Sequence, residues 1–451
     1  MLSVLANRTY RHLLGAQIIA LIGTGLATVA LGLLAYDIAG GQAGAVLGTA
    51  LAIKMVAYIV IAPIAGAFAD RAPRRLLLVS LDLVRAAVAV CLPFVSEIWQ
   101  IYVLIFVLQS ASAAFTPTFQ ATIPDVLPEE KDYTRALSLS RLAYDMENIT
   151  SPMLAAALLS VINFHWLFSG TAVGFVGSAL LVVSVALPKS EPKQRADQGI
   201  YDRTTRGIRI YLKTPRLRGL LAITLSAAAA SSMVIVNTVV IVQSVLGLKQ
   251  TNVALTLAAY GLGSITAALV LPRILDRISD RLVMLGSAVA LAIGLSIMAW
   301  VSSVVTPGPT YWYAILGAWV FLGVSYAMSI TPSGRLLKRS ANSEDRPALF
   351  AAQFALSHIC WLICYPLVGQ LGAEVSMTAA FAAMAVIAGI GFVVALAVWP
   401  ANDPDVVPHG HEDLPRDHEH MRRHHTDGAG HDYVCLLYTS DAADDLLCVD
   451  L

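Results

Sequence analysis

The chain has 451 residues, of which 57% are hydrophobic and 13% are charged, and its formal net charge is zero. Soluble domains carry roughly 25% charged residues, so this composition excludes an ordinary soluble protein. It predicts an all-α membrane protein with the lipid bilayer as its main partner, and no nucleic-acid partner is expected.

Apolar stretches of about 20 residues are long enough to cross a bilayer as helices. The chain contains twelve such stretches, and the first is too long for the apolar core of a secretory signal, so no cleavable signal peptide is expected. The twelve lie at 13–37, 45–68, 76–96, 98–120, 137–162, 165–187, 217–245, 252–272, 282–303, 309–331, 347–371 and 374–398.

Lys and Arg side chains are concentrated in the even-numbered loops, at the N-terminus and in a central segment at 188–216 that carries eight of them. Basic loops stay in the cytoplasm. We therefore expect a multi-pass protein of the bacterial inner membrane with both termini in the cytoplasm.

The second half of the chain repeats a feature of the first. Asp70-Arg71 follows the second apolar stretch, and Asp276-Arg277 follows the eighth, 206 positions later. Two six-helix halves joined by a basic linker form the repeat pattern of a rocking-bundle secondary transporter. The predicted organisation is a first bundle, a linker, a second bundle, a disordered His-rich tail and a final segment, at 1–187, 188–216, 217–400, 401–434 and 435–451.

The segment from Gly66 to Arg75 resembles the cytoplasmic signature of the major facilitator superfamily, with Pro73 where that family more often has Gly. The stretches LAYDIAGG, SLDLVRA and SRLAYDMENITSPMLAA resemble the branch that contains siderophore and macrolide exporters. Together with the His-rich tail, the chain most resembles the nickel-resistance permeases of that branch. The resemblance implies a twelve-helix fold and a loop that holds one transport state. The implied gating residues are Gly66, Asp70, Arg71, Arg74, Arg75, Asp276 and Arg277.

The fifth apolar stretch carries Arg141, Asp145, Glu147 and Asn148. Ionisable groups in a membrane helix are costly and are functional candidates by default. A carboxylate there binds a cation when ionised and releases it when protonated, which suits exchange of a substrate for protons. Alternatively, Arg141 and Asp145 form an ion pair that only neutralises itself.

Lys54, in the second stretch, lies at a depth close to that of Glu147. We interpret it as a counter-charge in the substrate and proton site, or as a Lys that snorkels or pairs permanently. Asp82 and Arg85, three residues apart, are predicted to form a structural pair.

Polar side chains recur at helical spacing in two further stretches and predict faces toward a central cavity. Thiolates bind soft or borderline metals, although small polar residues also allow close helix packing. His358 lies on a different face from the cysteines and is either a lone ligand or a hydrogen-bonded core histidine. The cavity candidates are Gln109, Thr116, Asn237, Gln353, Cys360, Cys364 and His358.

The tail holds seven of the ten histidines, interleaved with acidic residues. Such a tract is typical of metal binding, although it could also be a solvated disordered end. The expected metal ligands are His409, His411, His418, His420, His424, His425 and His431. Residues from Cys435 onward resemble the translation of a sequencing adapter, and we exclude them from functional reasoning.

The sequence has no phosphate-binding P-loop and no nucleophile constellation, so neither ATP-driven pumping nor enzymatic activity is expected. The first hypothesis is a monomeric exporter that exchanges a divalent metal cation, nickel or cobalt, for protons, without a resident cofactor. The tail would then be an accessory that collects metal. The alternatives are an exporter of organic compounds, such as siderophores or drugs, and a metal-responsive membrane sensor.

Overall fold

A computed structural model of the protein describes residues 2–68, 73–127, 129–187, 200–340, 346–401, 407–409 and 433–435. Within these residues it contains fourteen α-helices. In the first half they are α1 (Arg8–Ala39), α2 (Ala43–Phe68), α3 (Arg74–Cys91), α4 (Ile98–Val126), α5 (Glu130–Leu159) and α6 (His165–Val183). In the second half they are α7 (Ile200–Lys213), α8 (Pro215–Val239), α9 (Gln250–Leu275), α10 (Asp280–Val304), α11 (Pro309–Ile330), α12 (Ser333–Arg339), α13 (Arg346–Gln370) and α14 (Met377–Val398).

The twelve helices other than α7 and α12 coincide with the twelve predicted spans and confirm the all-α membrane fold. Ten stretches of the described residues are long and apolar enough to cross a membrane, and the first of these, Arg8–Ile61, contains α1 and most of α2. Many side chains of α5 lie outside the described part, so the count of ten does not extend to that helix.

The structure differs from the predicted boundaries where the chain is polar. Helix α5 begins at Glu130, about two turns before the predicted start at 137. A helix can continue beyond the apolar stretch because its backbone hydrogen bonds are made within the helix. The predicted linker contains the helix α7 (Ile200–Lys213). In the predicted tail, β1 (Val407–His409) pairs antiparallel with β2 (Tyr433–Cys435).

Several helix starts follow local capping rules. The Asn7 side chain accepts a hydrogen bond from the Tyr10 backbone N–H, and Ser279 and Ser376 do the same at the starts of α10 and α14. Helices α8 and α11 begin with a proline, Pro215 and Pro309, whose missing N–H would have no partner in the first turn.

We call the end of the bundle where α6 stops and α7 begins the linker end, and the opposite end the far end. At the linker end the buried side chains form two separate cores. One lies within 4–182 and the other within 210–399. A third and larger core contains residues from both halves, from Ala20 to Ala388. The halves therefore share a core away from the linker end and have separate cores at it.

Glycines allow the two halves to touch at the far end. A Cβ added to Gly369 of α13 would collide with the backbone of Gly44 of α2, and one added to Gly48 would collide with the Tyr365 carbonyl. Small residues let membrane helices approach this closely. The Gln42 side chain also donates to the Ala373 carbonyl across the same junction, at 3.5 Å. We call this junction the far-end contact.

Candidate functional site

Ionisable side chains from both halves meet near the middle of the bundle. Lys54 lies near the middle of α2, Glu147 lies on α5, and His358 lies near the middle of α13. The Lys54 ammonium is close enough to interact electrostatically with both Glu147 and His358. The structure therefore brings together three residues that the sequence singled out separately, and we call them the charged site.

Lys54 and Glu147 are near one another without a direct contact. Within the described residues, neither the ammonium nor the carboxylate makes a hydrogen bond or an ion pair. Placing a charged side chain at the centre of a membrane helix costs about 2.5–3.5 kcal/mol on insertion scales. A charged pair that stays out of contact leaves its lone pairs and protons available to water, a proton or a substrate.

A glycine on α1 makes room for the Glu147 carboxylate. A Cβ on Gly25 would lie 3.1 Å from Oε1 of Glu147 and would collide with Ser151, one turn further along α5. The Ser151 hydroxyl is buried and has no hydrogen-bond partner among the described residues. Gly25 therefore lets α1 pack closely against the Glu147 and Ser151 side chains of α5.

The α13 side of the charged site is aromatic. His358 Nδ1 lies 2.6 Å from the Phe354 carbonyl oxygen, which can only accept, so Nδ1 carries the proton. The imidazole stacks on the Tyr58 ring with centroids 5.2 Å apart and an interplanar angle of 8°. Lys54 Nζ lies 6.0 Å from the centre of the same ring. Tyr58 therefore lies beside both nitrogen-bearing side chains of the charged site, Lys54 and His358.

Three tyrosines extend this site into the second half. The rings of Tyr260 on α9 and Tyr326 on α11 have centroids 5.9 Å apart. Tyr365 on α13 interacts electrostatically with both of them and with Glu147. The Tyr260 hydroxyl is buried, and no described residue forms a hydrogen bond with it. We call these three residues the tyrosine cluster.

The tyrosine cluster and Tyr58 were not predicted from the sequence. A signal was present for two of these residues, because membrane tyrosines concentrate at the two water interfaces, and Tyr58 and Tyr260 lie near the middle of their predicted spans. Tyr58 also follows Lys54 by four residues, which places the two side chains on one helix face.

Several predicted cavity residues are instead engaged in packing. Gln353 accepts a hydrogen bond from the Tyr211 hydroxyl of α7, so it binds the linker helix. Cys360 and Cys364 are 6% and 0% exposed and belong to the shared apolar core. Helical spacing identified a common face of α13, and neighbouring helices cover that face. The role of the two cysteines as metal ligands stays a prediction.

Asn237 belongs to the far-end contact and not to an open cavity. Its side chain is fully buried and its Nδ2 donates to the Val368 carbonyl at 3.1 Å. Its Oδ1 has no hydrogen-bond partner and would lie 2.7 Å from a Cβ on Gly44 of the other half.

Two of the predicted cavity residues, Gln109 and Thr116, lie on α4. Gln109 is buried, and its Oε1 has no hydrogen-bond partner among the described residues. Thr116 donates to the Ser112 carbonyl one turn earlier, at 3.3 Å. This back-bonding is common for hydroxyls on helices and does not require a cavity.

The predicted gating segment makes contacts that recur in the second half. Arg75 at the start of α3 donates to the Val183 carbonyl at the end of α6. Arg281 at the start of α10 donates to the Trp399 carbonyl just after α14, at 3.1 Å. Since Arg75 and Arg281 are 206 positions apart, the internal repeat of the sequence is reproduced in side-chain contacts.

The residues just before these arginines form ion pairs of opposite polarity. Arg74 pairs with Asp125 at the end of α4. Its counterpart Asp280 is paired with two arginines of α12, Arg339 at 3.0 Å and Arg335 at 3.4 Å. Each half therefore has its own ionic clamp at the linker end.

Asp276 and Arg277, the other gating candidates of the second half, are exposed. Gly66 lies within α2 near its end. Asp70 and Arg71 lie outside the described residues. The side chains of Arg141, Asp145 and Asn148 also lie outside the described part, although the α5 backbone that carries them is helical.

Of the predicted metal ligands in the tail, His409 lies in β1, where it pairs with Tyr433. The other predicted metal ligands lie outside the described residues; they are His411, His418, His420, His424, His425 and His431.

Among the described residues, no group of three or more His, Cys, Asp or Glu side chains is placed to hold a metal ion. The predicted pair Asp82 and Arg85 is confirmed: the two side chains form a buried ion pair within the first half. Asp82 also accepts from Ser178 at 2.7 Å, and the Arg85 guanidinium lies 4.2 and 4.5 Å from the ring centres of Phe115 and Phe175.

Curated relatives match part of the chain. Over 139 residues it is 30% identical to the uncharacterized MFS-type transporter YfiS of Bacillus subtilis, which covers 31% of this chain and 33% of that protein. Over 153 residues it is 28% identical to macrolide efflux protein A of Enterococcus faecalis, which covers 32% of this chain and 47% of that protein. The chain thus spans less than half the length of these two relatives.

Solved structures share the fold across most of the chain. One is a bacterial homolog of the human lysosomal transporter Spinster, with a TM-score of 0.65 and 14% identity over 87% of this chain and 98% of that one. Another is a POT family transporter, with a TM-score of 0.67 and 12% identity over 87% of this chain and 96% of that one. The sequence model of the Major Facilitator Superfamily matches residues 13–251 and 220–425. Because these matches extend over most of its length, the chain belongs to the Major Facilitator Superfamily.

Proposed function

We propose that the protein is a secondary active exporter of organic compounds, driven by exchange for protons. The observation that carries this proposal is the composition of the central site. A carboxylate, an ammonium and an imidazole from both halves are surrounded by tyrosine rings, in a bundle whose halves join away from the linker end.

The small number of metal ligands favours an organic substrate over a divalent metal. The described side chains of the site that could bind a metal are Glu147 and His358. Transition metals usually take at least three protein ligands, so these two would not complete a metal site. Aromatic walls with a few polar groups are instead typical of sites for small organic molecules.

The relatives support the same choice. Two of the matching proteins are described as macrolide efflux protein A, from Enterococcus faecalis and Streptococcus pyogenes, and macrolides are organic compounds. The alignments cover only part of those proteins, so the transport of organic compounds by this chain is our proposal.

The basic loops lie at the linker end, and we expect that end to face the cytoplasm. With the far-end contact closed and the two linker-end cores separate, substrate would enter between the halves from the cytoplasm. Rocking of one half against the other would open the far end. Glu147 would carry a proton in one direction and engage substrate in the other, because one carboxylate cannot do both at once.

The test is transport in an exporter-deficient bacterial host that expresses the protein. We expect lowered cell accumulation of, and raised tolerance to, erythromycin and other organic toxicants. Glu147→Gln should abolish this export while leaving the amount of membrane-inserted protein unchanged. Glu374→Gln, which alters an exposed carboxylate beside the far end, is the matched control. Full export by the Glu147→Gln protein would remove this residue from the mechanism.

Export of nickel or cobalt is the second candidate, and the His-rich tail is the observation that favours it. In the same host, protection against nickel or cobalt with lowered cell metal would support this function. Under it, deletion of the residues after Pro408 should lower tolerance only partly, because the gating contacts lie elsewhere. Complete loss of metal export in that deletion would contradict an accessory role for the tail.

A further inference from the structure

We propose that Glu147 is the docking point for the protonated amine of an organic substrate, and that Lys54 is an internal cation which this amine displaces. This inference rests on the proposed function and specifies its substrate class. It concerns amphipathic organic amines, in which one ammonium group is attached to an apolar body.

The Glu147 carboxylate is ready to accept such a group. It makes no hydrogen bond or ion pair within the described chain, and its Oε1 lies close to Gly25 of α1. The buried Ser151 hydroxyl beside it also has no hydrogen-bond partner among the described residues. A protonated amine would supply donors to both oxygens, and a bond between ammonium and carboxylate is among the strongest hydrogen bonds in proteins.

The tyrosine cluster suits the rest of an amine. Ring faces attract cations and pack against apolar groups. Tyr365 lies within electrostatic reach of Glu147, and Tyr260 and Tyr326 continue the aromatic surface into the second half. An amine held at Glu147 would therefore place its apolar body against the half that must move during transport.

Lys54 carries an ammonium group, as the proposed substrate does, and can neutralise Glu147 when no substrate is bound. Its ammonium interacts with Glu147, yet no ion pair fixes it there, and the Tyr58 ring lies 6.0 Å from Nζ. When an amine occupies Glu147, mutual repulsion moves the Lys54 side chain toward Tyr58. When the amine leaves, Lys54 returns and neutralises the carboxylate, so the empty site does not retain an uncompensated charge.

The experiment compares doxorubicin, a fluorescent amine, with its N-acetyl derivative, in which acetylation removes the ammonium charge. Binding to the purified full chain in detergent is followed by fluorescence. We expect the amine to bind at least roughly tenfold more tightly than the acetylated form, since one charge-assisted hydrogen bond corresponds to such a factor. Glu147→Gln should remove the difference, and Glu374→Gln should keep it.

Lys54→Met gives an opposite and more specific outcome. Removal of the competing cation should tighten amine binding several-fold and leave binding of the acetylated form unchanged. Weaker amine binding in this variant, or equal binding of both compounds by the unaltered protein, would overturn the inference. Gel filtration verifies that each variant is folded. Tyr365→Phe should retain amine binding, because the ring remains, whereas Tyr365→Ala should weaken it.

A parallel transport measurement separates this inference from the function on which it rests. Everted membrane vesicles that accumulate the amine faster than its acetylated form support both. Accumulation of both compounds at equal rates leaves an organic exporter and contradicts the amine site. Accumulation of neither doxorubicin compound, nor of erythromycin, contradicts the proposed function.

Discussion

Arg339 donates from Nη1 to Oδ2 of Asp280 across 3.0 Å and thereby ties α12 to the first turn of α10. Asp280 is 3% exposed at its side chain, and its other oxygen lies 3.4 Å from Arg335 without hydrogen-bond geometry. The counterpart in the first half, Arg74 with Asp125, has the charges exchanged. The two clamps hold equivalent places in the two halves with opposite polarity.

The unequal contacts of Asp280 lead to a first prediction. Arg339→Gln should lower the free energy of unfolding by roughly 1.5–3 kcal/mol, since it removes a hydrogen bond between charged groups. Arg335→Gln should have a clearly smaller effect, because its contact lacks hydrogen-bond geometry and its side chain is 54% exposed. Unfolding of the purified variants in detergent measures both, and equal destabilisation would contradict the assignment.

A second prediction concerns the buried pair Asp82 and Arg85. Asp82→Ala should destabilise the protein by about 3–5 kcal/mol, because it leaves the Arg85 guanidinium without its carboxylate. The double change to two leucines should be less harmful than the single one. The partly exposed pair Asp132 and Arg135, also three residues apart at 3.0 Å, is the control, and Asp132→Asn should cost no more than about 1 kcal/mol. Thermal unfolding in detergent provides the comparison.

The far-end contact gives a third prediction. Gly369→Ala should hold the halves apart, since the added Cβ would meet the Gly44 backbone. Overpacking of this kind costs about 1–3 kcal/mol. We expect slower export and faster labelling, by an impermeant maleimide, of a cysteine placed at Gln42. Gly286→Ala is the matched control, because nothing lies within 4 Å of a Cβ at that position. Unchanged labelling in the Gly369 variant would show that the contact tolerates the extra atom.

The linker helix gives a fourth prediction. Tyr211 is fully buried and its hydroxyl donates to Gln353, so Tyr211→Phe should lower stability by roughly 0.5–1.5 kcal/mol and loosen α7. Hydrogen exchange of residues 200–213 measures the loosening, and Lys213→Gln, an exposed change on the same helix, is the control.

Tyr211 also predicts a dependence on alkaline pH. Burial raises the pKa of its phenol above the ordinary value of 10.0, because the charged form is desolvated. A raised pKa means that the contribution to stability is complete below pH 10.0 and declines as the pH rises above it. The difference in unfolding temperature between the native protein and Tyr211→Phe should therefore shrink above that pH. A difference that stays constant to pH 11 would contradict this assignment.

The sequence by itself determined the features that depend on neighbouring residues. Twelve spans followed from runs of apolar side chains, because a helix in lipid must satisfy its backbone internally and hide polar groups. The pairing of Asp82 with Arg85 followed from their spacing of three. The repeat of 206 positions indicated two similar halves, and the recurring arginine contacts at Val183 and Trp399 agree with it.

Only the tertiary structure decided which helix faces meet. Helical spacing placed Gln353, Cys360 and Cys364 on one face of α13, but it carried no information on the neighbour, and α7 and the shared core occupy that face. The charged site is formed by side chains of three helices, α2 and α5 of the first half and α13 of the second. The tyrosines from α9, α11 and α13 converge across more than a hundred residues of sequence. Such long-range contacts result from the packing of whole helices, and no local pattern in the sequence encodes them.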